Sequence, residues 1–157
     1  MKCHQCGGQI NEEIGTHPYI GDELPSVILV GVKLRTCTEC GATSVGIPKL
    51  AKLHRALATN MAKSEHRLAP GEIRFLRKHL GWSGQDAARK LGVTPETVSR
   101  RENGAKPMGA PTERLLRLTV LTVDPVDEYP IPDELEGTPR EHQIIASLDN
   151  DWQIDVA

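Results

Sequence analysis

The stretch SGQDAARKLGVTPETVSRRENG, residues 83–104, encodes two short helices and the turn between them. Ser83 stands where a helix N-cap is needed, and Asp86 three residues later completes an approximate capping box. Ala87, Ala88 and Leu91 share one helical face, and Gly92 ends the run. A second helix opens at Thr94, carries Pro95 in its first turn and closes at Asn103 and Gly104. Gly92 permits a sharp turn, Ala87 or Ala88 lets the second helix approach closely, and Val93 and Val98 plug the angle between the two. This is helix-turn-helix geometry, in which the second helix enters a DNA major groove and its first residues reach base edges.

Further helices flank this pair. Ile73, Leu76 and Leu80 form an apolar stripe that starts near Gly71 and ends at Gly81, and Leu115, Leu116, Leu118 and Val120 carry a last helix over about residues 112–121. Thr94, Glu96, Thr97 and Arg100 are expected to project from one side of the recognition helix. Arg100 is the expected base reader, because a guanidinium matches the O6/N7 edge of guanine. Ser99, Arg101 and Lys106 are expected to hold phosphates.

Charge agrees with that reading. The chain of 157 residues has a net charge of −2, unevenly spread. Residues 67–120 hold 11 Lys/Arg against 5 Asp/Glu, whereas residues 121–157 hold one arginine against 10 acids. The middle of the chain therefore suits a phosphate-rich partner, and the end would repel one.

All four cysteines lie in the first forty residues, as Cys3-x-x-Cys6-Gly7 and Cys37-x-x-Cys40-Gly41. A two-residue gap lets one tight turn offer two thiolates, and a tetrahedral zinc ion needs four at about 2.3 Å. A redox pair needs a single Cys-x-x-Cys in a βαβ setting. Haem attachment needs a histidine after the second cysteine, where both motifs have glycine. Disulfides suit secreted chains, and no apolar signal segment precedes Cys3. Structural zinc on Cys3, Cys6, Cys37 and Cys40 is the expectation, with His4 a bystander.

Residues 27–35 read as a strand between the cysteine pairs, and Tyr19 and Ile20 as part of an earlier one, with Gly21 and Asp22 as turn material. Pro48 marks an expected helix start, followed by Leu50, Leu53, Leu57 and Met61 on one face. Residues 122–157 read as an acidic, partly flexible tail, in which residues 141–148 could form a short helix with Trp152 beyond. A sharper possibility is that this arm competes with DNA for the basic helices. No apolar run approaches the ~20 residues of a membrane span. The absence of targeting signals and the reduced-thiol chemistry of the cysteine pairs make a cytoplasmic protein the expectation.

The segment from Leu76 and Arg77 through Trp82, Ser83 and Ala87 to Gly104 resembles the helix-turn-helix of the Xre/Cro family. Preceded by paired Cys-x-x-Cys-Gly motifs and the strand before Cys37, it resembles the MqsA family of antitoxins (YgiT-type zinc finger proteins) over about residues 1–120. That resemblance implies a zinc domain that masks a ribonuclease toxin, and a dimeric DNA-binding domain that represses its own operon. The four cysteines match the metal ligands, and Arg100 the base-reading arginine. This chain has Glu96 where an asparagine reads a base in the best-known members, Gly84 in place of a glutamine, and Arg101 in place of an aromatic residue.

The resulting expectation is an α+β protein. A zinc-binding β domain spans 1–47, a linker helix 48–69, a helix-turn-helix domain 70–121 and an acidic tail 122–157. Its function is transcription regulation as a homodimeric repressor on a palindromic operator, with a ribonuclease toxin as a further partner. A protein-interaction module with secondary DNA binding is the alternative. No enzyme is expected: four thiolates leave zinc no open position, and the six histidines are scattered.

Overall fold

The computed structural model describes residues 1–19, 21, 23–123, 136–139 and 143–156. Ile20, Asp22 and the tail residues 124–135, 140–142 and 157, Pro125, Pro130 and Pro132 among them, lie outside the described residues.

The first part of the chain is a long hairpin of β1 (Ile10–Pro18) and β2 (Val27–Cys37), with β3 (Thr43–Gly46) returning antiparallel along the end of β2. In β2 the apolar residues alternate with a one-residue correction. Val27 and Leu29 are buried, then Val32. Gly31 takes up the extra residue: Gly15 pairs with Val32 and Thr16 with Val30, so Gly31 bulges out of the ladder at φ 81°. A bulge of this kind keeps the apolar set on one face after the slip. A Cβ on Gly31 would lie 2.8 Å from the Leu148 carbonyl oxygen, so the site admits only glycine without a shift.

The C-terminal segment corrects the expectation of a solvated tail or short helix. Residues 144–148 and 152–156 are strands β6 (Ile144–Leu148) and β7 (Trp152–Val156), joined as an antiparallel hairpin. β6 runs parallel to β2, pairing Val27 with Ile144 and Val30 with Ser147, and the five-stranded sheet reads β1-β2-β6-β7 with β3 beside β2. Ile144, Ala146 and Trp152 join the core. Acidic composition had masked this, because seven of the ten acids of residues 121–157 precede Gln143 and only three fall within the hairpin region. The β unit is thus built from both ends of the chain, not from residues 1–47 alone.

Helix α1 (Leu50–Lys63) packs between sheet and helices, with Leu53, Leu57, Ala58, Met61 and Ala62 buried. It starts two residues after Pro48. The Pro48 carbonyl accepts a hydrogen bond from Trp152 Nε1 at 3.0 Å, and Lys49 adopts φ 51° while its Nζ reaches the Asn150 carbonyl at 2.5 Å. The C-terminal hairpin thus holds the two residues that lead into this helix.

Beyond α1, the short strand β4 (His66–Arg67) leads to α2 (Pro70–His79), α3 (Gly84–Leu91), α4 (Pro95–Glu102) and α5 (Ala110–Val123). β5 (Glu136–Pro139) pairs parallel with β4. The connection after α1 is clasped rather than free. Arg117, fully buried on α5, donates to the carbonyls of Met61, Ala62, Ser64 and His66 and to Glu113 Oε1 at 2.8 Å. These carbonyls include ones that the end of a helix leaves unpaired. Glu113 also accepts from Arg67 Nε at 2.7 Å and from the Leu68 N–H at 3.0 Å. Sheet and helices share one apolar core running from Val27 and Leu29 through Leu57 to Leu76 and Val120.

Candidate metal centre and nucleic-acid interface

Two nearly identical turns hold the cysteines. In the first, the Gly7 N–H donates to the Cys3 carbonyl and the Cys3 N–H to the Gly8 carbonyl, both at 2.9 Å. In the second, the Gly41 N–H donates to the Cys37 carbonyl at 3.1 Å and the Cys37 N–H to the Ala42 carbonyl at 2.9 Å. Gly7 and Gly41 both close their turns at positive φ, 76° and 71°. The Thr38 N–H donates to the Gln9 carbonyl at 3.0 Å and ties the two turns together.

The four sulfurs lie within 4.8 Å of one another, with Cys3 to Cys40 at 3.7 Å and Cys6 to Cys37 at 3.4 Å. A tetrahedron with bonds of about 2.3 Å has corners roughly 3.8 Å apart, so the set fits one metal ion. Backbone amides point at the sulfurs: the Gln5 N–H donates to Cys3 Sγ and the Gly8 N–H to Cys6 Sγ, each at 3.4 Å. The N–H groups of Cys40 and Glu39 hold the Cys37 thiol down to about 6, which favours the thiolate. At Cys40 the Ala42 N–H pulls in the same direction. The sulfurs of Cys6 and Cys37 outweigh it and push that thiol up to about 12, because thiolate charges this close repel one another. His4 is exposed and outside this group.

The second site is α4 and its supports. Thr94 caps the helix by accepting from the Thr97 N–H at 3.2 Å, and Ser83 caps α3 by accepting from the Asp86 N–H at 3.0 Å. The Ser83 hydroxyl and N–H hold the Asp86 carboxyl below the usual range. Gly92 closes α3 in the left-handed region at φ 66°. Val98 is buried against the preceding helix, and Val93 packs on the core beside it.

Residues 94–106 divide by face. Thr94, Glu96, Ser99, Arg100 and Lys106 are exposed and Thr97 is half-buried. Val98, Arg101 and Glu102 point inward. Arg101 therefore departs from the expectation of an outward phosphate contact: it is 9% exposed and lies three residues from Val98, on the same face. That spacing was available in the sequence, but a basic residue beside Arg100 reads more naturally as a second surface charge.

Glu102 is a positioning residue that composition alone did not reveal. Its carboxylate, 7% exposed, accepts from Arg77 Nε at 2.5 Å and Arg77 Nη2 at 3.1 Å, and from Arg74 Nε at 3.4 Å. Arg74 Nη2 also donates to Asn103 Oδ1 at 2.8 Å. The outward row of α4 is thus mounted on α2 through ion pairs behind it. On α3, Lys90 Nζ sits 5.5 Å from the centroid of the Trp82 ring.

Residues 73–118 match the helix-turn-helix family. No curated protein matches the chain. The helix-turn-helix domain so delimited runs from Ile73 on α2 to Leu118 on α5 and contains both capped helices and the Glu102 cluster. It is of the DNA-binding, transcription-regulator type. No helix of the described residues is long and apolar enough to cross a membrane.

Proposed function

We propose that this chain is a non-enzymatic, sequence-specific DNA-binding repressor, acting in the cytoplasm as a homodimer and carrying a structural zinc ion in its β unit. The observation that carries the reading is the outward row of exposed Thr94, Glu96, Ser99 and Arg100, with Thr97 half-buried among them, on a helix anchored from behind by Glu102. Arg100 supplies direct readout of guanine, and Lys106 supplies phosphate attraction. Glu96 narrows the choice of base, since a carboxylate accepts from cytosine N4 and repels nearby phosphates.

Dimerisation is supported by Leu115 and Leu118 on α5, 42% and 38% exposed, which sit one turn apart on the far side from the buried Leu116 and Val120. A second copy across that face would place two recognition helices on one side of a duplex. At a spacing of about 34 Å they would read two halves of a palindrome and exclude polymerase from the promoter.

Zinc is supported by the donor set. Four thiolates at tetrahedral spacing form a closed shell, the arrangement of structural rather than catalytic zinc sites. The order of modules, cysteine pairs and then helix-turn-helix, supports kinship with the MqsA antitoxins. A ribonuclease partner is carried by that resemblance alone.

Genomic pull-down with sequencing tests the proposal. We expect one palindrome near the protein's own gene, bound by the wild type. Arg100→Ala should weaken that site by about 1–3 kcal/mol and relax its base preference. A chain with no preferred site, or one indifferent to Arg100→Ala, would leave an interaction module as the better account.

A further inference from the structure

Behind the recognition helix lies a cavity of about 210 Å³, lined among others by Arg67, Leu68, Ile73, Arg101, Lys106 and Met108. Its most unusual wall is Arg101. The side chain is more than nine-tenths buried, yet its Nε and Nη1 find no hydrogen-bond partner among the described residues. A buried lysine can shed its proton to escape such a position, whereas an arginine cannot. A buried charge without an acceptor is costly, so a guanidinium facing a cavity calls for an anion there.

The neighbouring charges do not supply one. Glu113 is engaged by Arg67, Arg117 and the Leu68 N–H. Glu102 is engaged by Arg77 and Arg74. Arg67 already spends its Nε on Glu113 and its Nη2 on the Met108 carbonyl, and Lys106 stands exposed at the rim. One unmatched buried positive charge remains, set against the apolar side chains of Leu68, Ile73 and Met108.

We propose that this cavity binds a small organic carboxylate, with its negative charge on Arg101 and its apolar body against Leu68, Ile73 and Met108. The size fits: a dry cavity near 150 Å³ takes up benzene, so about 210 Å³ accommodates a ring or branched chain with a carboxylate attached. With Arg67 committed to Glu113 and the Met108 carbonyl and Lys106 exposed at the rim, only the Arg101 guanidinium is unmatched inside the cavity, which suits one negative charge better than a phosphate dianion. The site adjoins the end of α4, where the Ala105 N–H donates to the Arg100 carbonyl at 2.9 Å. An occupant would therefore brace the residues that carry Arg100. Binding itself is independent of the DNA reading and is measured without DNA.

The test uses the full chain with acetate, isovalerate and benzoate at millimolar concentration, and benzyl alcohol as a neutral control. Benzoate or isovalerate should raise the unfolding midpoint by on the order of 4 °C at saturation and move the Arg101 Nε–Hε resonance in ¹H–¹⁵N NMR spectra. Benzyl alcohol should do neither. Arg101→Met should fold and lose the response. Met108→Trp, which fills the cavity while keeping the arginine, should lose it too and serves if Arg101→Met does not fold. The proposal is overturned if no carboxylate shifts either signal in the wild type, or if the response survives in a folded variant. It is also overturned if duplex DNA moves the Arg101 resonance and the carboxylates do not, which would make the guanidinium a backbone-phosphate ligand.

Discussion

Arg77 on α2 and Glu102 on α4 meet through two hydrogen bonds, Nε to Oε1 at 2.5 Å and Nη2 to Oε2 at 3.1 Å, with both side chains largely removed from solvent. An eight-residue helix has no stability of its own in water, so the pose of α4 is set by what holds its inner face. Val98 provides apolar contact there, and Glu102 provides direction.

Glu102→Ala should therefore destabilise the protein by about 3 kcal/mol, because it strands the Arg77 charge in a mostly buried position. Urea unfolding measures this. Pairing Glu102→Leu with Arg77→Met should recover part of the loss, since no lone charge then remains. A single substitution that leaves stability within about 0.5 kcal/mol would show that the pair is dispensable.

Zinc removal should act on the β unit first. Structural zinc sites contribute on the order of 10 kcal/mol to folding, comparable to the net stability of a whole domain. Mass spectrometry under native conditions should find one zinc per chain. Chelation, or Cys37→Ser, should abolish the strand signal in circular dichroism. A metal-free chain with unchanged strands would show that the shared core with α1 suffices.

His54 should make stability pH-dependent. Burial, and secondarily the nearby His79, lower its pKa below the ordinary 6.5, while Tyr19 Oη lies 2.8 Å from its Nε2 and the Phe75 ring packs edge-on at 5.5 Å. The neutral ring is favoured in the folded state, so its contribution is complete above pH 6.5. It declines as pH falls from 6.5 towards the depressed folded value, because the unfolded chain takes up the proton first. Thermal midpoints of wild type and His54→Gln should converge in slope above that pH and diverge below it. Parallel curves throughout would remove His54 as the cause.

The C-terminal hairpin should behave as part of the core. Trp152→Ala removes a ring that is 8% exposed and a hydrogen bond to the Pro48 carbonyl, and should cost about 3–5 kcal/mol. Lys52 and Lys49 pair with Asp151 at 3.1 Å and 4.0 Å on the same face. These exposed contacts add little. Deleting residues 143–157 should lower stability and strip β2 of its parallel partner. A gain in DNA affinity with stability unchanged would instead favour the competing-arm idea raised by the acidic composition.

Local chemistry made much of this protein readable from its residues. The caps Ser83 and Thr94, the stop at Gly92 and the plugs Val93 and Val98 act within a few residues of one another, and all five stand where the pattern put them. The cysteine turns are likewise short-range, since each needs only four residues and a glycine. Three features required the folded chain. Residues 144–147 pair in parallel with a strand more than a hundred positions earlier, a choice that no local propensity encodes. Arg101 and Arg100 are adjacent and both basic, yet a turn of about 100° per residue sends one to solvent and the other behind the helix. The clasp of Arg117 on the carbonyls after α1 depends on the end of one helix meeting the face of another. Periodicity and capping are written in neighbouring residues, whereas partners for strands, buried charges and free carbonyls are chosen by distance in space, and only the tertiary structure decides them.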